Sequence, residues 1–182
     1  MLHAARPRQG ELAAKATDVA GGALDILVNN AGAAWGAPAE DHPVEAWDKV
    51  MNLNVRGYFL LSQMVAKQSM IKRKSGRIIN VASIAGLNGV TNFAGYVGTK
   101  NAVRGISHSL YMELRDFGIK VSTIYPGSIQ TNFFDAIPGM DAHEHMMQPE
   151  DVALTIVQTL ETHPNYFVVD VECRPLRPKG KK

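Results

Sequence analysis

The chain has 182 residues, 46% of them hydrophobic and 20% charged, with a formal net charge of +2. That composition describes one globular domain with room for a core, and its dispersed basic residues leave no electrostatic footprint for nucleic acid. The single Cys173 excludes an internal disulfide, no apolar run reaches the ~18 residues of a membrane span, and the opening MLHAARPRQG lacks the apolar stretch of a signal peptide, so a cytoplasmic protein is expected.

Met1 to Gln9 has no periodicity and is expected to fray, whereas Glu11 to Val19 predicts a short helix stopped by Gly21-Gly22. Asp25 to Val28 predicts a strand that runs into Asn29-Asn30-Ala31-Gly32. Amides there can bridge neighbouring strands, and glycine lets the chain approach a ligand. Pro43 suits the first turn of a long helix reaching to about Lys72. Trp47, Val50, Met51, Tyr58, Leu61 and Val65 recur on one stripe of that helix, and Asn54 falls among them. A buried amide must find partners, either backbone groups that it bends the helix to reach or something that the site needs.

Arg77 to Ala82 is a β-branched run of the kind covered on both faces, and Ser83 stands where that strand ends. Strand ends are where parallel sheets bind ligands. After a loop rich in Gly and small residues comes a helix from about Gly95 to Phe117. Val103, Ile106, Leu110 and Leu114 make its apolar ridge, and Ala102, Gly105 and Ser109 a small-residue face that fits either another subunit or the rest of the domain. Lys120 to Tyr125 predicts the next strand, ending at Pro126-Gly127. Ser128 to Met147 is a loop whose Phe133, Phe134, Met140, Met146 and Met147 would suit an adaptable substrate lid. A helix from Pro149, a last strand from Tyr166 to Val171 and a solvated basic tail, Arg174 to Lys182, complete the chain. His143 and His145 point to different faces with no Cys or carboxylate cluster beside them, so no metal is assigned.

Tyr96 and Lys100 are four residues apart, so on a helix they share one face. A free phenol ionises near pH ~10, and a fixed ammonium nearby is expected to pull that value towards neutrality. Tyr96 would then trade a proton with a substrate. Ser83, thirteen residues earlier, lies where it can join them.

These residues resemble the short-chain dehydrogenase/reductase family. The likeness covers about residues 10 to 172 and is carried by Asn29-Asn30-Ala31-Gly32, Asn54 in NVRG, Ser83, Tyr96 with Lys100, and Pro126-Gly127 with Thr131. It implies a doubly wound α/β fold with a parallel sheet, an NAD or NADP cofactor and a small-molecule carbonyl or alcohol substrate. By resemblance Tyr96 is the acid/base, Ser83 binds the substrate oxygen, Lys100 depresses the Tyr96 pKa and holds the nicotinamide ribose, and Asn54 seats a relay water. Asn30, Ala31 and Gly32 line the ribose side, Pro126 and Gly127 the cofactor wall, and Ile129 with Thr131 the nicotinamide amide. The family's two long helices also make subunit contacts, so a homo-oligomer is expected.

Two departures qualify the resemblance. The family opens with a strand, a glycine-rich turn and a helix that hold the dinucleotide pyrophosphate, and nothing in Met1 to Gly22 matches them. The 182 residues are therefore expected to form one incomplete dinucleotide-binding domain, short by on the order of 60 to 80 residues, with the Asp25 to Val28 strand at an open edge. At the other end NYFVVDVECRPLRPKG replaces the D-G-G of many members, which fits the carbonyl reductase and alcohol dehydrogenase branch better than acyl-carrier reductases. The expected function is hydride transfer between NAD(P) and a ketone or secondary alcohol. Its alternative is an inactive remnant that binds a partner through its helices or open edge.

Overall fold

The computed structural model describes residues 6–133 and 142–177. Four parallel strands form one sheet in the order β1-β2-β3-β4: β1 (Ile26–Asn29), β2 (Gly76–Val81), β3 (Ile119–Pro126) and β4 (Asp170–Cys173). Alternate residues of the buried strands serve opposite faces. Ile78 and Val121 pack with Val65, Met70, Leu110 and Leu114 on one face, whereas Ile79 and Ile124 pack with Val152 on the other. Helices α1 (Arg6–Val19), α3 (Tyr58–Val65) and α5 (Ala94–Leu114) cover the first face, and α6 (Pro149–Leu160) covers part of the second. This is the expected doubly wound α/β arrangement.

The long helix is continuous but not uniform. Segments α2 (Val44–Met51), α3 and α4 (Ile71–Arg73) are joined by wider π-turns at Asn52–Gly57 and Ala66–Met70. The first of these carries Asn54 and the second carries Ser69, whose hydroxyl accepts from the Leu24 N–H and donates to the Leu24 carbonyl just ahead of β1. At the far side of the sheet, the Tyr125 hydroxyl donates to Asp170 at 3.0 Å and His108 of α5 meets the same carboxylate at 2.8 Å, tying β3, β4 and α5 together.

Several expectations are corrected here. Helix α1 begins at Arg6, so Arg6 to Gln9 belong to it, and Met1 to Ala5 lie outside the described residues. Trp47 was expected on the inner stripe but is 43% exposed, because α2 starts beyond the sheet and its ring stands beside His42 and Gly95. The last strand starts at Asp170, not Tyr166. Before it, the carbonyls of Tyr166 and Val168 accept from the Lys120 and Ser122 side chains, so the approach to β3 is irregular. Phe134 and Met140 of the expected lid, and the last residues of the basic tail, 178–182, lie outside the described residues.

β1 is an open edge among the described residues, as expected. It pairs only with β2, and Ile26 and Val28, on the face opposite α1 and α3, are 47% and 40% exposed. Its inner side is anchored by Asn29, whose amide donates to Asn80 of β2 at 2.8 Å and to Ser62 of α3 at 3.0 Å.

Candidate active site

The buried run of β2 ends at Val81, and Ser83 follows in extended backbone with its hydroxyl accepting from the Ala85 N–H at 3.1 Å. The chain then turns through Ile84–Gly86 and meets α5. A Cβ on Gly86 would stand 2.7 Å from the Lys100 carbonyl oxygen, so only glycine allows this contact. The glycine-rich loop thus serves packing against the helix here; Gly89, farther along, faces open space.

Tyr96 and Lys100 sit one turn apart near the start of α5. The Lys100 Nζ lies 5.7 Å from the Tyr96 ring centre and 5.6 Å from that of Tyr58, and it donates to the Val81 carbonyl at 3.0 Å. The Tyr58 hydroxyl donates to the same carbonyl at 3.2 Å. Lys100 is thereby held between two aromatic rings at the end of β2, where ring faces favour a cation. Burial nevertheless disfavours its charge and lowers its pKa to about 8.

Burial also pushes the Tyr96 phenol up from its ordinary value, and the hydrogen bond with Ser83 pulls it only part of the way back. The expectation that Lys100 draws this phenol towards neutrality is corrected: desolvation by burial dominates and raises it. At neutral pH the site therefore holds a neutral phenol near the Ser83 hydroxyl, beside the buried Lys100.

Asn54 is fully buried and tightly engaged. Its carbonyl accepts from the Ala33 N–H at 2.9 Å, and its amide donates to the Ala33 carbonyl at 2.8 Å and to the Thr99 hydroxyl at 3.0 Å. Thr99 in turn donates to the Tyr96 carbonyl at 2.7 Å. Asn54 thus joins the segment after Gly32 to the helix that carries Tyr96. Asn29 bridges to Asn80 of the neighbouring strand as expected, whereas Thr99, Asn80 and Ser107 were not singled out from the sequence. The available signal was Asn80, an amide placed inside an otherwise apolar strand.

A cavity of about 430 Å³ opens above these strand ends. Ser83, Tyr96 and Lys100 line it together with Asn30, Gly32, Pro126, Gly127, Ile129 and Thr131. Ala31 and Asn54 are not among its lining residues. The lining offers polar groups that suit a nicotinamide and its ribose: the Asn30 amide, the Thr131 hydroxyl and the ammonium hydrogens that Lys100 does not give to Val81. Among the described residues before β1 there is no strand, glycine-rich turn and helix start to receive a pyrophosphate. Nor, among the described residues, do three or more His, Cys, Asp or Glu side chains gather as they would around a metal ion, and no helix is long and apolar enough to cross a membrane.

The model of the short chain dehydrogenase family matches residues 4–141. The chain is 34% identical over 177 residues to a 3-alpha-(or 20-beta)-hydroxysteroid dehydrogenase of Mycobacterium tuberculosis (strain H37Rv), an alignment that covers 93% of this chain and 68% of that protein. A crystal structure of a metagenomic short-chain oxidoreductase in complex with NADP is 29% identical, with a TM-score of 0.77 over 95% of this chain and 71% of that one. An alcohol dehydrogenase from Thermococcus sibiricus complexed with 5-hydroxy-NADP has the same fold, with a TM-score of 0.85 at 19% identity and coverage of 97% and 73%. The chain spans about two thirds of the length of the curated relatives it matches. With a matching family model over most of its length, and with a parallel sheet whose strand ends bring Ser83, Tyr96 and Lys100 together, this chain belongs to the short-chain dehydrogenase/reductase family of NAD(P)-dependent oxidoreductases.

Proposed function

We propose that the cavity carries out hydride transfer between NAD(P) and a ketone or secondary alcohol, with Tyr96 as the acid/base. The observation that carries this reading is the meeting of the Ser83 hydroxyl, the Tyr96 phenol and the Lys100 ammonium on one wall of the cavity. When bound, the nicotinamide supplies or accepts the hydride. Negative charge then grows on the substrate oxygen during reduction, and donors already aimed at it lower the barrier. Ser83 holds that oxygen and Tyr96 gives it a proton. The neutral phenol favoured by burial is the form that reduction requires.

Lys100 orients the ribose through its free ammonium hydrogens. Asn54 holds Ala33 and Thr99, so its side chain acts on the site through position; a relay water would use groups other than the amide hydrogens already engaged. Ile129 and Thr131 flank the nicotinamide amide. The hydroxysteroid dehydrogenase among the relatives, named for an alcohol substrate, supports this substrate class. Gly105 and Ser109 on α5 are exposed, and Met112 stands near them, which supports a homo-oligomer built on this face.

The test is Tyr96→Phe, which keeps the ring and removes the hydroxyl. Turnover with NAD(P)H and a ketone panel is expected to fall by ~10²–10⁴ with little change in Tm. Near-normal activity would make Tyr96 a packing residue and overturn the assignment. A second reading, an inactive chain that binds a partner, is favoured by one observation, the unpaired apolar edge of β1.

A further inference from the structure

Much of the cavity lining is hydrocarbon. Ile84, Val90, Phe93 and Phe133 belong to it. The Phe93 ring stands edge-on to Tyr96 at 6.5 Å, and the Phe133 ring is tilted against Tyr96 at 5.9 Å. Met146 and Ala34 pack against the same two phenylalanines, so this wall is set by its own contacts. Among the described residues that line the cavity, Lys100 is the single charged one, and its Nζ is bonded to Val81 and enclosed by two rings.

A carboxylate or phosphate on the substrate would lose its water here without gaining a guanidinium or a second ammonium, and an unpaired buried charge is strongly disfavoured. An apolar ring, by contrast, gains both burial and ring-edge contacts beside Phe93 and Phe133. A very small ketone gains less of that burial. Resting on the oxidoreductase reading above, we propose that the substrate is an uncharged ketone or secondary alcohol bearing an apolar ring next to the reacting carbon, with Phe93 and Val90 as specificity-determining residues.

Binding and turnover test this separately. With the 182-residue chain, saturation-transfer NMR and competition titrations would compare 2-tetralone, acetone and pyruvate, and NAD(P)H oxidation would be followed with the same three. 2-Tetralone is expected to bind at least ~10-fold more tightly than either of the others, a gap of about 1.4 kcal/mol. Preferential binding of 2-tetralone without turnover supports the substrate class and removes the oxidoreductase reading for this chain alone. Equal or tighter binding of pyruvate, or no binding of 2-tetralone, overturns the class.

Phe93→Ala is expected to weaken 2-tetralone at least ~10-fold while leaving acetone nearly unchanged. Because Phe93 also precedes α5, Val90→Lys is the companion variant: Val90 is 44% exposed at the cavity wall, so the fold tolerates the change. It is expected to lower 2-tetralone affinity and raise that for pyruvate. An unchanged preference in Val90→Lys overturns the assignment of that wall to the substrate.

Discussion

Two regions of the same sheet are finished to different degrees. Along β2 and β3 the side chains Ile78, Ile124 and Val121 are excluded from water, and Asn29, Asn54, Asn80 and Thr99 around them all have hydrogen-bond partners. On the outer side of β1, Ile26 and Val28 stand in solvent with no neighbouring strand among the described residues. Ser83, Tyr96 and Lys100 stand in the first region, physically separate from the open edge.

The largest effect expected from that separation is on cofactor affinity. The cavity offers the nicotinamide end a donor set but gives the pyrophosphate no helix start, so the 182 residues are expected to bind NADH and NADPH more weakly than micromolar. Calorimetry checks this, and a micromolar constant would break the contrast between the two regions.

Lys100→Met probes the finished region. The Lys100 pKa falls from 10.5 to about 8 on folding, so the unfolded chain binds more protons between those values and stability should rise with pH across that window. The penalty below pH 8 is on the order of 3 kcal/mol. Tyr96, whose folded pKa is raised, acts in the opposite sense only above pH 10. Lys100→Met is expected to match or exceed the parent's stability at pH 7, since Tyr58 still satisfies the Val81 carbonyl, and to lose the rise between pH 8 and 10. Urea unfolding at pH 7 and pH 9.5 measures both. A slope that survives the substitution would assign the titration to another group.

Gly86→Ala is expected to destabilise by ~1–3 kcal/mol, because its new methyl meets backbone oxygen that cannot rotate away. Gly89→Ala, in open space, should cost far less, and equal losses in thermal melts would remove the special status of Gly86. The smallest effect concerns the open region. The parent is expected to associate through the β1 edge, and Val28→Lys should shift its sedimentation towards monomer with little change in Tm. A parent that sediments as a clean monomer at high concentration would make that edge inert.

Where the sequence and the structure agree, the physics is local. A β-branched run sufficed to place β2, and a spacing of four on a helix sufficed to bring Tyr96 and Lys100 to one wall. Where they differ, the deciding neighbour is remote in sequence. The Tyr96 ionisation depends on burial by the folded surroundings, Gly86 is explained only by the Lys100 carbonyl, and Trp47 obeys the helical period yet has no sheet beneath it. The start of β4 depends on side chains of β3 that take the carbonyls before it. The π-turns have no signature in residue type that the spacing of apolar positions discloses.

The π-turn at Asn52–Gly57 makes chain length itself part of the site. A π-turn takes up more residues per turn than an α-turn, so deleting one residue there can leave a continuous helix behind. The two flanking segments would keep nearly the same phase about the helix axis, while the residues inside the turn shift. Tyr58 would then keep the Val81 carbonyl and the Lys100 ammonium, whereas Asn54 would leave Ala33 and Thr99. Single-residue deletions at this turn should thus preserve helix content while disassembling the polar contacts behind Tyr96, a sensitivity to indels that point substitutions along the same surface would not reveal.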